Sequence, residues 1–104
     1  MSHSFRASRD PELVAIAGLG FLSGEAERLA RFLAMTGVTP EDLRRRAGEP
    51  ELLAAVLDHL LADESLLFLF AEAEALHPGE VAAARRKLPS SLPYSPPSSR
   101  RHTP

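Results

Sequence analysis

The chain has 104 residues, a formal charge of -2 from 12 Lys+Arg against 14 Asp+Glu, and no cysteine or tryptophan. Balanced charge excludes a polybasic nucleic-acid arm, and zero cysteine excludes disulfides, thiolate metal sites and cysteine nucleophiles. Neither a run long and apolar enough to span a bilayer nor an N-terminal signal-like segment is present, so the expectation is a soluble cytoplasmic protein.

Arginine supplies every basic side chain except Lys87, and Ala and Leu dominate. That bias suits a GC-rich bacterial genome, so arginine richness by itself does not signal phosphate binding. Residues 1–9 read as a flexible N-terminus and 10–88 as a helical domain. The stretch 89–104, PSSLPYSPPSSRRHTP, reads as a disordered tail with polyproline character. Pro96-Pro97 and Arg100-Arg101 are its candidate docking residues for a partner. Tyr94 reads there as a spacer or docking residue.

Helix punctuation is legible from the first residue of the domain. Asp10 can cap, Pro11 suits the first helical position, and Glu12 favours the positive end of a helix. Gly24 interrupts. In EAERLARFLAMTG, Leu29, Phe32, Leu33 and Thr36 share a face, and Glu27 and Arg31 are spaced for an i,i+4 ion pair. Gly37 reads as a left-handed stop. Thr39-Pro40-Glu41-Asp42 then opens a short helix through Arg46 that ends at Gly48.

Pro50 opens the next helix, with Leu52, Leu53, Val56, Leu57, Leu60 and Leu61 at helical spacing. A break falls near Asp63. LLFLF, Leu66 to Phe70, is apolar on every side and is expected to be the buried central helix, with Phe68 or Phe70 in the core. His77-Pro78-Gly79-Glu80 repeats the cap pattern. A last helix carrying Val81, Arg85, Arg86 and Leu88 stops at Pro89.

The two halves resemble each other. PELVAIAGLGFLSGE from Pro11 aligns with PELLAAVLDHLLADE from Pro50 at an offset of 39, and Phe32/Phe70, Pro40/Pro78 and Leu43/Val81 follow at 38. Two readings stand: an internal duplication, or chance agreement between Leu/Ala-rich helices. The predicted fold is an all-α compact bundle of five or six short helices, arranged in the first reading as two similar helix–helix–short-helix halves.

Two sharper motifs compete with this reading. Gly18-Leu19-Gly20 with Ser23, before an amphipathic segment, imitates a dinucleotide-binding turn. No second strand with a ribose-reading acid follows, so the bland account is preferred: the glycines let two helices approach closely. LARFLAMTGVTPEDLRRRAG imitates a helix-turn-helix, with Arg44, Arg45 and Arg46 as speculative anion or nucleic-acid contacts. Leu33 stands where that motif wants a small residue. The bland account is that these arginines, like Arg85–Lys87, complement helix C-termini.

Asp58, His59, Asp63 and Glu64 form the densest polar cluster. His59 and Asp63 could share a metal, but two ligands are not a site, and a solvated helix end with a His–carboxylate contact is preferred. Ser23, Ser65 and Ser90 have no recognisable base, and His77 reads as a cap. No catalytic, cofactor-binding or metal residue is assigned, no cofactor is expected, and the chain is not read as an enzyme.

From Glu27 to Leu88 the strings are similar to the small alphaproteobacterial domain-of-unknown-function family 3572. Phe32 to Gly37, Thr39 to Arg44 and Ala55 to Leu67 carry the resemblance, which covers about 11–88 and omits the tail. The glycine pair stands outside the pattern. The resemblance implies an all-α cytosolic protein and transfers no activity, cofactor or site residue. The expected function is therefore a protein-interaction or regulatory module, with a protein partner or self-association and no membrane. DNA binding through Arg44–Arg46 is the alternative, and a nucleotide- or metal-dependent enzyme the further one.

Overall fold

Proline begins four of the six helices, because its fixed φ suits the first turn and its missing N–H would have no partner there. The computed structural model describes residues 10–89. In chain order the helices are α1 Pro11–Ser23, α2 Ala26–Thr36, α3 Pro40–Arg46, α4 Pro50–Leu61, α5 Glu64–Ala73 and α6 Pro78–Arg86. No strand occurs among the described residues. The expectations for 1–9 and for the tail beyond Pro89 lie outside them.

The caps expected at Asp10 and Thr39 form, and Asp63, read from sequence only as a break, is a third. Asp10 accepts from the Glu12 N–H at 2.9 Å, Thr39 from Asp42 at 3.0 Å and Asp63 from Leu66 at 3.2 Å. Glu80 accepts from the His77 N–H at 3.4 Å. Gly37 ends α2 with φ 80°, and its N–H returns to the Leu33 carbonyl at 2.8 Å. The corresponding residue after α5 is Ala75, also left-handed at φ 57°. No sequence rule flags that position, because alanine takes this conformation only at a steric cost.

One expectation fails. The helix containing LLFLF is not the central one: in α5, Leu67, Phe70 and Ala71 are buried while Phe68 and Leu69 are exposed. The central helix is α4, where every residue from Leu52 to Leu57 is buried, as is Leu60. Helices α1, α2, α5 and α6 all pack against α4, whereas α5 packs mainly against α4 and α6, with Phe70 also meeting Phe21 of α1. A five-residue apolar run shows that a segment can be buried all round; the number of neighbours decides whether it is.

The bland account of the glycines divides. Gly18 is buried, and a Cβ there would come within 3.0 Å of Leu60 and 3.1 Å of Val56. It permits the close packing of α1 on α4. Gly20 points to open space, with nothing within 4 Å of its would-be Cβ. Both lie inside a continuous helix, not in a turn at a helix N-terminus as the dinucleotide fingerprint needs.

Candidate functional site

The arginines singled out by sequence occupy the last turn of α3. Successive residues on a helix fan out by about 100° each, so Arg44, Arg45 and Arg46 share no face. Arg45 pairs with Asp42, and Arg46 donates to Glu49 at 2.8 Å. Arg44 is exposed and makes no ion pair among the described residues. Arg45 and Arg46 thus sit at the helix C-terminus as expected, but carboxylates three residues away claim them. Arg85 does reach carbonyls, those of Leu88 and Pro89 just beyond α6, at 3.4 and 3.2 Å, while binding Asp58 at 2.6 Å.

That last bond breaks up the expected polar cluster. Asp58 turns to α6, and Asp63 caps α5. No hydrogen bond joins Asp63 to His59, and no group of three potential metal ligands forms among the described residues.

His59 instead faces α2. Its ring meets Phe32 edge-on, centroids 5.3 Å apart, and its Nε2 is buried without a hydrogen-bond partner. Burial pushes its pKa below the ordinary value; Arg31 pushes the same way and Asp63 opposes them. Beside it opens a cleft of about 390 Å³ lined by Glu25, Glu27, Arg28, Arg31, His59, Asp63 and Leu66. Arg28 lies 4.3 Å over the Phe21 ring and 3.9 Å from Glu25. The anticipated Glu27–Arg31 pair does not form. The lining mixes both charge signs and offers one imidazole but no hydroxyl, thiol or amine side chain. Such a wall can make charge-assisted hydrogen bonds.

The other outward features are apolar. On α5, Ser65, Phe68, Leu69 and Glu72 recur at i, i+3, i+4 and i+7 on one exposed face. Phe68 is 51% and Leu69 49% exposed. On α1, Leu13 and Ile16 are 57% and 48% exposed.

The family model for proteins of unknown function DUF3572 matches residues 8–91. The chain belongs to the DUF3572 family. No curated protein and no solved structure matches it.

In this DUF3572 protein the outward apolar faces are what sequence reasoning located least well. The signal for α5 was present: a ten-residue helix cannot hide apolar groups on all sides unless it is surrounded. The Asp58–Arg85 bond carried no local signal, since its partners are 27 residues apart.

Proposed function

We propose that this protein is a non-catalytic protein-interaction module that docks a partner segment on the outer face of α5. The observation behind it is the pair Phe68 and Leu69, about half exposed in a helix that otherwise buries its large side chains well. Large apolar groups clustered on one helix face, with polar groups around them, are how helix-docking surfaces are built. Exposed Glu64 and Glu72 lie at either end of the pair. The matching partner is an apolar segment with basic flanks.

Nucleic-acid binding through Arg44–Arg46 has less support, because two of the three guanidiniums are paired with carboxylates three residues away. No carboxylate competes for Phe68 in the same way.

A photo-crosslinking phenylalanine analogue placed at position 68, and separately at position 44, tests the reading in native lysate. A discrete protein adduct from position 68 alone is expected. No adduct at 68, or the same adducts at both positions, overturns it.

A further inference from the structure

We infer that the outer face of α1 is a self-association surface on which two copies of this chain meet antiparallel. This inference does not depend on α5, and concerns a different helix.

Helix α1 turns Leu13, Ile16, Gly20 and Ser23 to solvent, a single stripe at helical spacing. Between Leu13 and Ser23 the helix carries no charged side chain, and Glu12 marks the N-terminal edge of the stripe. In a chain that is 25% charged, such a face is unusual.

Gly20 is the second observation. A glycine inside a helix costs stability relative to alanine. Gly18 has a reason in this fold, since Leu60 and Val56 press on it. Gly20 has none among the described residues: a Cβ there would meet nothing within 4 Å. What a bare position on an outward helix face allows is close approach of another backbone.

The occupant follows from charge and shape. An uncharged face calls for an uncharged partner face. This stripe bears a ridge at Ile16 and a notch at Gly20, so it complements itself. About a two-fold axis between positions 16 and 20, each Ile16 sits over the other copy's Gly20, and Leu13 lies against Ser23. The α5 face does not offer this, because two copies would bring Glu64 and Glu72 against their own kind. A crossing of about three helical turns covers roughly 300–400 Å² per copy, short of the ~800 Å² of a standard interface. The dimer is therefore of the weak, transient class.

The test is an amide NMR dilution series on the full chain from about 20 µM to 1 mM, with sedimentation equilibrium over the same range. Concentration-dependent shifts are expected at residues 13, 16, 17, 20, 23 and 24. Ile16→Asp should abolish them and weaken association at least tenfold. Gly20→Ala should raise the melting temperature by about 3–6 °C, from helix propensity alone, and still weaken association several-fold. Stability and association then move in opposite directions, so damage to the fold cannot explain the loss. Spectra that do not change with concentration overturn the inference and leave the face to another occupant, such as residues 90–104 of the same chain. Shifts centred on Phe68 and Leu69 also overturn it, as does a Gly20→Ala variant that associates like wild type.

Discussion

Residues 11–46 and 50–86 pass through the same sequence of events: a proline-started helix, a second helix closed by a left-handed residue, and a short proline-started helix. The paired phenylalanines Phe32 and Phe70 are both fully buried, and Ala15 and Ala54 match in the same way. Yet the halves are used differently. Leu13 stands largely in solvent while its counterpart Leu52 is completely covered. Helix α3 has no buried residue, whereas α6 inserts Val81 and Ala84 against α1, α4 and α5. Similar local signals thus yield similar helices, and position in the assembly decides how much of each is hidden. The second half supplies the centre of the core; the first supplies α1 as a one-sided wall and leaves α3 at the margin.

The sharpest way to break this comparison is at the phenylalanines. Phe32→Ala and Phe70→Ala should each cost about 3–5 kcal/mol, as large core truncations do. That is comparable to the whole stability of a fold this size. Phe68→Ala, two residues from Phe70 and on the opposite face of the helix, should cost under about 1 kcal/mol. Chemical denaturation of the three variants reads this out, and equal losses at 68 and 70 would contradict the placement of α5.

Next come the short helices. Val81→Ala should lose about 2 kcal/mol, because Val81 is fully buried. Leu43→Ala, at the corresponding place in half-buried α3, should lose roughly half that or less despite removing more atoms. If Leu43→Ala proves the more damaging in thermal melts, α3 is as firmly docked as α6 and the asymmetry fails.

The helix stops give a smaller effect of opposite sign. Gly37→Ala forces an alanine into φ 80° and should destabilise by about 1 kcal/mol. Ala75→Gly relieves the same conformation in the other half and should stabilise by roughly 0.5–1 kcal/mol. Melting temperatures moving the same way in both variants would mean that the two stops are not alike.

The smallest expected effect concerns His59, whose counterpart in α1 is Gly20. Burial holds the folded imidazole below its ordinary pKa of 6.5. Between that lowered pKa and about 6.5 the unfolded chain binds more protons than the folded one. Stability therefore rises with pH through the window and is complete above it. Wild type should lose melting temperature between pH 7 and pH 5 faster than His59→Gln. Parallel curves for the two proteins would show that His59 is not held neutral against Phe32.

Much of the fold was legible residue by residue. Asp10, Thr39, Gly37 and the four helix-starting prolines act through atoms one turn away or less, so chain order alone determines them. On α1, apolar on every side from Leu13 to Leu22, chain order does not by itself mark the inner face. The site was less legible. Asp58, His59 and Asp63 look like one polar group along the chain, but they separate in space because Arg85, Phe32 and the α5 backbone each claim one of them. Arg44–Arg46 looked like a single basic patch, but helix geometry spreads them, and Asp42 and Glu49 pair with two.

The sequence by itself determined an all-α bundle of five or six helices, the four proline starts, the Gly37 stop and membership of a family, because these depend on local backbone chemistry and on short strings. Only the tertiary structure decided that α4 rather than α5 is central and that Phe70 is covered while Phe68 is not. It also decided which of two glycines a neighbouring helix needs. Each of those depends on how many other helices surround a segment. Burial is a sum over neighbours distant in the chain, and periodicity within a segment records only which face could be covered.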